Sequence, residues 1–371
     1  MAWLVAIAVA AAPGCSFRVV PSGPDDGQPM PTDDALSIDG AVPPDAATAW
    51  WDPAWKNRRK VIIKNTELTG PVQSFPLLVK LPAGIDPTKV RFLAADHSTV
   101  LPHEVDASGP AGATVWVRIP DIKNTGAAPE VWVYYNNGAA SNASSGANVF
   151  ADLFVSVHHL GSNGADATGH GHTADATGNE RPGNMPGQIG DARDFDGMND
   201  HLDLTGEAAY DFTTALTASA WIKRRSLTVA YMAIITKGDS AWRLARENAT
   251  QFVGFGTDEG AASQNLAGSK SIDDDSWHHV AITLGGGTKR IYVDGAPDTM
   301  ATANAVNTNN IDVSFGQNAE SVTGGKRFWN GAMDEIRISA ATRDAAWIFA
   351  EHHTATDPDF VQLGPDEPYV P

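Results

Sequence analysis

Short apolar runs separated by turn residues constrain the fold of this chain more than any other feature. In the first half these runs are rich in Val, Ile and aromatic residues, and they read RKVIIKN (59–65), FPLLVKL (75–81), VRFLA (90–94), TVWVRIP (114–120) and VWVYYNN (131–137). Runs of this length and composition, with Pro or Gly between them, predict strands of a sandwich rather than helices. The sequence therefore predicts an all-β fold.

Length and composition divide the folded part into two domains. The chain has 371 residues, enough for two or three domains, and residues 138–149 are small and polar, as an interdomain linker is. We predict antiparallel β-sandwiches over residues 49–137 and 150–353, with a C-terminal tail over residues 354–371.

The N-terminus predicts export. Residues 2–12 form an apolar run that is too short to span a membrane, so residues 1–14 are predicted to be a signal peptide. The only cysteine, Cys15, follows this run and resembles the lipobox cysteine of bacterial lipoproteins. The resemblance implies a lipid anchor on Cys15 and, with Ser16 behind it, location at the outer membrane or cell surface. The alternative is ordinary secretion with an incidental cysteine.

The segment after Cys15 predicts a tether. Residues 15–48 are acidic and rich in proline, and Phe17 is their only aromatic residue. Such a segment cannot bury enough apolar surface to offset the entropy of ordering, so we expect it to be disordered.

Charge and cysteine content exclude several classes of function. The chain carries 26 Lys and Arg against 44 Asp and Glu, a net charge of -18, and this charge would repel nucleic acid. A single cysteine excludes internal disulfides and zinc sites built from cysteine alone.

The first predicted sandwich resembles a family of bacterial surface modules of unknown function, DUF2341. The resemblance lies in Trp51 and Trp55 with the basic run at 58–60, and in the segments LPHEVD (101–106), VWVRIP (115–120) and VWVYYNN (131–137). It implies a surface module and leaves its chemistry open.

The second predicted sandwich resembles the laminin G-like, concanavalin A-like jelly rolls. Four segments occur in the family's order, namely residues 189–204, 216–226, the hairpin SWHHVAITLGGGTKRIYVDGAP (276–297), and 329–352. The resemblance implies two packed sheets and a short C-terminal helix, for which Thr342 is a candidate capping residue.

Calcium is the cofactor that this resemblance implies, because jelly rolls of this kind often carry one such ion held by oxygen ligands. The candidate ligands lie in the ADATGHGH and DFDGMND segments and in the closing strand: Asp166, Asp196, Asn199, Asp200 and Asp334. The alternative is that these side chains only cap turns.

The sequence shows little evidence of a catalytic site. The E-x-D-x-x-E array of sandwich glycosidases is missing, and Asp334 and Glu335, as neighbours on a strand, are expected to point to opposite faces. His158, His159, His170 and His172 form a cluster that could bind zinc or copper, although solvated loop histidines are the simpler interpretation. His278 and His279 are expected to be structural.

Aromatic side chains are the candidate ligand-binding residues. Trp51, Trp55 and Trp329 flank basic residues, and exposed rings of this kind stack on sugars, although Trp51 and Trp55 could instead seal the first sandwich. The leading hypothesis is a lipid-anchored surface protein that binds an extracellular glycan or another surface protein. The alternatives are a carbohydrate-active hydrolase or lyase with a non-standard site, and a structural spacer.

Overall fold

The computed structural model describes residues 50–161, 164–259, 263–321 and 325–371. The predicted signal peptide, Cys15 and the tether lie outside these residues. The described residues fall within one compact unit.

Strands dominate the described chain. The first seven are β1 (Asn57–Ile63), β2 (Val72–Pro82), β3 (Arg91–Ala94), β4 (Val100–Leu101), β5 (His103–Gly109), β6 (Gly112–Ile122) and β7 (Val131–Tyr135). After helix α1 (Gly146–Val149) come β8 (Phe154–His158), β9 (Ala174–Asp175), β10 (Gly183–Pro186), β11 (Asp191–Asp196), β12 (Leu202–Leu204), β13 (Leu216–Arg224), β14 (Ala233–Thr236) and β15 (Trp242–Arg246). The remainder are β16 (Val253–Asp258), β17 (Ser263–Ala267), β18 (His278–Gly285), β19 (Thr288–Val293), β20 (Ala296–Thr302), β21 (Ser314–Phe315), β22 (Asn330–Ser339), helix α2 (Ala345–Thr356), β23 (Val361–Leu363) and β24 (Glu367–Pro368). Short 3-10 helices lie at Asn65–Glu67, Pro87–Lys89, Gly178–Glu180 and Glu207–Tyr210.

The first sandwich consists of two antiparallel sheets. One has the order β23-β1-β7-β3-β4, with β24 also paired to β1, and the other has the order β2-β6-β5. The residues predicted as a C-terminal tail therefore return to the first sandwich, where Val61 pairs with Leu363. The return is stabilised by Phe360, which is buried in the core of this sandwich.

The second sandwich is the predicted jelly roll. Its larger sheet has the order β10-β11-β22-β13-β18-β19-β20, with β8 on β22, and its smaller sheet has the order β17-β16-β15-β14-β21-β12-β9. Alternation along β13 explains how the larger sheet serves two cores. Leu216, Ala218, Ala220 and Ile222 pack between the two sheets, whereas Trp221 packs on the opposite face with the core of the first sandwich.

Helix α2 fills the space between the two sandwiches. Its N-cap is Asp344, whose carboxylate accepts a hydrogen bond from Trp347 N at 2.9 Å. The capping role expected for Thr342 is wrong, because its hydroxyl donates to Leu284 O at 2.6 Å. Trp347 packs edge-on against Phe75 of β2, with ring centroids 5.1 Å apart.

The segment predicted as a linker is also held in place. Ser145 N donates to His103 O at 2.8 Å, and Ser144 Oγ accepts from Val105 N at 2.8 Å. Val149 is buried in the core that both sandwiches share. The all-β prediction is confirmed. None of the helices in the described ranges has the length and apolar character of a membrane span.

Candidate functional site

Two of the three tryptophans predicted to stack on a ligand lie in the interior. Trp329 is 0% exposed and Trp55 is 3% exposed, so neither ring can meet a sugar. Trp329 belongs to the core between the two jelly-roll sheets, although residues 325–328 before it form an irregular segment that is exposed or half-buried. Trp51 is half-buried and packs on Trp55, with ring centroids 5.5 Å apart.

The basic residues beside Trp51 and Trp55 have a structural role. The Arg58 guanidinium lies 4.8 Å from the Trp50 ring centroid and 4.2 Å from that of Trp132. It also donates to Tyr134 Oη at 3.1 Å and forms an ion pair of 2.8 Å with Glu367. These contacts seal the end of the first sandwich, which was the alternative interpretation of this region.

The candidate calcium ligands of the DFDGMND segment cap one turn. Asp196 Oδ1 accepts hydrogen bonds from Met198 N at 2.8 Å and Asn199 N at 3.2 Å, and Asp200 Oδ2 accepts from Asp196 N at 2.9 Å. The structure thus brings Asp196, Asn199 and Asp200 together, with their backbone and carboxylates paired to one another.

The other two candidate ligands lie elsewhere. Asp166 accepts from Val157 N at 3.2 Å and His172 N at 3.1 Å, while buried Asp334 accepts from Ile189 N at 2.8 Å. Within the described ranges, no three of the four candidate aspartates gather their oxygens at one point. The predicted set therefore does not fit a single calcium ion.

The four clustered histidines do not form one site, although the rings of His170 and His172 remain neighbours with centroids 6.2 Å apart. His158 is buried against Phe315, whereas His170 and His172 face the carbonyl oxygens of Val155 and Thr205. His159 alone joins a group of ionisable side chains.

That group, the junction cluster, comprises Glu104, Asp106, His159, Glu335 and Arg337, and it joins the two sandwiches. His159 Nδ1 lies 2.6 Å from Glu335 Oε1, and its Nε2 lies 3.2 Å from Glu104 Oε2. Arg337 Nη2 donates to Glu335 Oε2 at 2.8 Å. Strands β5 and β22 and the end of β8 thus place their charges against one another.

A β-bulge brings two neighbouring carboxylates to this cluster. The pairing of β13 with β22 shifts between Ser219 and Trp221, and Glu335 has a φ of 48°. The expectation that Asp334 and Glu335 point to opposite faces is therefore wrong, because the extra residue of a bulge disrupts the alternation. Both carboxyl groups act electrostatically on each other and on His159.

Burial and pairing set the protonation of the cluster. Burial raises the pKa of Asp106 to about 7, and burial together with the Glu335 charge holds the pKa of Asp334 well above its usual range. Burial lowers the pKa of His159, but the charges of Glu335 and Asp106 outweigh it and the pKa is raised well above 6.5. His159 is thus an imidazolium and Glu335 stays ionised, because the charges of His159 and Arg337 outweigh burial and lower the pKa of Glu335. The neighbouring carboxyl group of Asp334, in contrast, keeps its proton.

The junction cluster has the composition of a metal site but not the geometry of one. Ligand atoms of Asp106, His159 and Glu335 lie within 4.8 Å of one another. A metal needs a free imidazole nitrogen, yet both nitrogens of His159 face carboxylates at hydrogen-bond distance. Asp334 and Glu335 are also buried, so a saccharide cannot reach them. The arrangement is a buried ion-pair network.

The opposite kind of site lies at one end of the jelly roll, and we call it the arginine cleft. It is an open cleft of about 610 Å³ between the end of β13 and the turn that joins β15 to β16. Its charged lining consists of Arg224, Arg225, Arg246 and Asp273, and its other lining residues include Ser226, Leu227, Thr250, Gln251 and Phe252.

The charges of the cleft are unevenly paired. Arg224 forms an ion pair with Asp273, and Arg225 forms one with Asp194. Arg246 is 2% exposed, and its Nε and Nη1 have no hydrogen-bond partner among the described residues. Burial and the nearby Arg224 charge lower the pKa of Arg246, because each disfavours a further positive charge.

Sequence reasoning missed both sites for different reasons. The run Lys223-Arg224-Arg225 at the end of a predicted strand was the available signal for the cleft, but the equal run at residues 58–60 has a structural role, so local charge could not distinguish the two. Nothing local marks Arg246. The junction cluster depends on contacts such as that between Glu104 and His159, which no spacing in the sequence indicates.

Family comparisons agree with the two resemblances drawn from the sequence. Residues 195–349 match the concanavalin A-like lectin/glucanases superfamily, and residues 86–157 match the domain of unknown function DUF2341. Both predicted resemblances are confirmed for these segments. No curated protein matches the chain.

Solved structures resemble part of the chain at low sequence identity. The binding domain of Paraclostridial Mosquitocidal Protein 1 has a TM-score of 0.46 and 13% identity, over 56% of this chain and 53% of that one. A structure of botulinum neurotoxin type C, a toxin whose cell entry depends on interaction with two ganglioside molecules, has a TM-score of 0.44 and 17% identity, over 56% of this chain and 52% of that one. Domain 4 of the arabinanase AbnA from Geobacillus stearothermophilus, in complex with arabinotriose, has a TM-score of 0.44 and 18% identity, over 53% and 96%. The chain thus spans about half the length of the first two.

Proposed function

We propose that this chain is a surface-anchored binding protein whose jelly roll binds an extracellular glycan or protein in the arginine cleft. The observation that carries the proposal is the unpartnered guanidinium of Arg246 at an open cleft of about 610 Å³. Small-ligand sites have volumes of roughly 300–1,000 Å³ and hold a few converging polar groups, and the cleft has both properties.

The cleft supports binding better than the junction cluster does. An ion-pair network closed to solvent can stabilise the fold, but it offers no surface to a ligand. The cleft instead combines exposed polar and apolar side chains with an unbalanced charge. The fold supports the same proposal, because the matching family is that of concanavalin A-like lectins and glucanases.

Binding can be tested on a glycan array with the full chain carrying Cys15→Ser, which removes the expected acylation site. We expect retention on a subset of glycans, and loss of that retention when Ala249→Trp fills the cleft. Ala249 is exposed and lines the cleft, so the fold should tolerate the larger ring. Ala139→Trp, at an exposed position in the first sandwich, is the matched control.

Two outcomes would count against this function. Retention that Ala249→Trp leaves unchanged would place the ligand elsewhere. Lack of retention on every glycan, together with lack of binding to an extracellular protein fraction, would favour a structural spacer.

The anchor belongs to the same proposal and is supported by the apolar run at residues 2–12 with Cys15 behind it. Cys15→Ser should move the protein from the membrane fraction to the soluble fraction, because the thiol that accepts the lipid is lost. Ser16→Ala is the control and should leave the protein in the membrane fraction. A Cys15→Ser protein that stays in the membrane as firmly as the unmodified chain would exclude the lipid anchor.

A further inference from the structure

We propose that the arginine cleft recognises acidic saccharides, and that Arg246 contacts a carboxylate or sulfate group of the sugar. This inference rests on the proposed function and adds the chemical class of the ligand. It follows from the state of three arginine side chains and from the neutral residues around them.

The inference begins with Arg246, because burying a charge that has no partner costs free energy. Its backbone is fixed at the end of β15, where it pairs with Val253, and Arg246 N donates to Met232 O at 2.8 Å. The side chain therefore stays at the cleft, although its Nε and Nη1 have no partner. Guanidinium groups that are removed from water require an anion, and the described residues form no ion pair with Arg246. A ligand anion would satisfy this requirement.

The neighbouring Arg224 and Arg225 increase the need of the cleft for an anion. Arg224 and Arg225 have their own partners, Asp273 and Asp194, so neither aspartate is available to Arg246 without breaking a pair. The cleft consequently has a local excess of positive charge in a chain of net charge -18. A planar guanidinium matches the paired oxygens of a carboxylate or sulfate, so the cleft selects for these groups.

The neutral lining favours a saccharide as the carrier of the anion. Ser226, Thr250 and Gln251 offer hydroxyl and amide groups, and Ser226 Oγ can still donate because it accepts from Asn330 Nδ2 at 2.7 Å. Leu227 and Phe252 offer apolar surface on which a sugar ring can pack. A nucleic acid has the right charge, but its many phosphates would be repelled by the rest of the surface.

The test is calorimetric titration of the full chain carrying Cys15→Ser at about 0.15 M salt. The probes are trigalacturonate for the carboxylate, a sulfated galactan tetrasaccharide for the sulfate, maltotriose as the neutral sugar, and triglutamate as the acidic peptide. We expect at least one acidic saccharide to bind tenfold or more tightly than maltotriose and triglutamate. The better of the two acidic sugars identifies the anion.

Two variants connect the binding to the cleft. Arg246→Gln should weaken the acidic saccharide tenfold or more, while Arg181→Gln, at an exposed arginine paired with Asp175, should have no effect. If Arg246→Gln fails to fold, Leu227→Asp provides the same test from the exposed rim. Its control is Met300→Asp on β20, where the side chain is 69% exposed.

The outcomes separate this inference from the proposed function. Equal affinity for maltotriose and the acidic sugars, with loss of binding in Ala249→Trp, would overturn the inference and leave the proposed function intact. Tight binding of triglutamate alone would make the ligand an acidic peptide and would also overturn the inference. If none of the probes binds, the inference is wrong, and if the glycan array and the extracellular protein fraction also show no binding, the proposed function is wrong as well.

Discussion

The junction cluster and the arginine cleft each bury an arginine, but they treat its charge in opposite ways. Arg337 in the junction cluster is 4% exposed and Arg246 in the cleft is 2% exposed, so the two have lost nearly the same contact with water. Arg337 donates to Glu335 at 2.8 Å, lies 3.4 Å from Glu351, and packs its guanidinium 4.2 Å from the Trp116 ring centroid. Among the residues that the structure describes, Arg246 has no such partner for its Nε and Nη1. Burial is therefore the same for the arginine that stabilises the fold and for the one that we propose binds a ligand. The two differ in whether the guanidinium is paired with a carboxylate of the protein.

The largest loss of stability should follow from replacing the paired arginine, Arg337. Arg337→Met keeps a long side chain on Trp116 but leaves Glu335 and Glu351 short of a cation in a buried site. Breaking a buried ion pair from one side costs about 3–5 kcal/mol, so the free energy of unfolding should fall by that amount. Urea unfolding followed by tryptophan fluorescence measures the change. A loss below about 1 kcal/mol would show that the junction cluster does not hold the sandwiches together.

A second effect is expected in the pH dependence of stability, from two residues of the same strand, β5. Burial lowers the pKa of His103 to about 4, so the unfolded chain takes up a proton first and stability is lost as pH falls below about 6.5. Burial raises the pKa of Asp106 to about 7, so the folded chain keeps its proton and stability is lost as pH rises through 7.

Matched variants test these opposite slopes between pH 7 and pH 5. His103→Gln should remove about 2 kcal/mol of the loss on acidification, and Asp106→Asn should remove a gain of about 2 kcal/mol. The measurement is the free energy of unfolding in urea at both values of pH. If both substitutions changed the pH dependence of the free energy of unfolding in the same direction, relative to the unsubstituted chain, the described environments of His103 and Asp106 would be contradicted.

The smallest change in stability should come from the same substitution, arginine to methionine, at Arg246 in the cleft. Arg246→Met removes a buried charge that has no partner, so the free energy of unfolding should change by less than about 1 kcal/mol, or should rise. Urea unfolding beside Arg337→Met compares the two arginines directly. An equal loss in both variants would make Arg246 a structural residue and would remove the main support for a binding site in the cleft.

Local pattern was a good guide to the strands and a poor guide to exposure. The hairpin predicted over residues 276–297 corresponds to β18 and β19, since alternation and turn residues are properties of adjacent positions. The Trp329 ring was expected to be exposed and is instead packed inside the jelly roll. A tryptophan beside Lys326 and Arg327 has the same local pattern in either case.

The candidate ligands show the same division. Asp196 and Asp200 cap their own turn, as their neighbours in sequence suggested, because the donors lie two to four residues away. The closing strand departs from its local pattern, since the bulge at Glu335 exists only because β22 pairs with β13 under a shifted register. Alternation therefore could not place Asp334 and Glu335 together.

By itself the sequence determined the all-β class, the two sandwiches and the segments that match their families, because these depend on the order of apolar and turn residues along the chain. Tertiary structure decided which charges meet. His159 lies between Glu104 and Glu335, which come from different sandwiches. Within the described part of the chain Arg246 meets no anion, although its neighbour Arg224 pairs with Asp273. Pairing between distant residues depends on the packing of whole sheets, so only the folded chain distinguishes the arginine that stabilises the protein from the one available to a ligand.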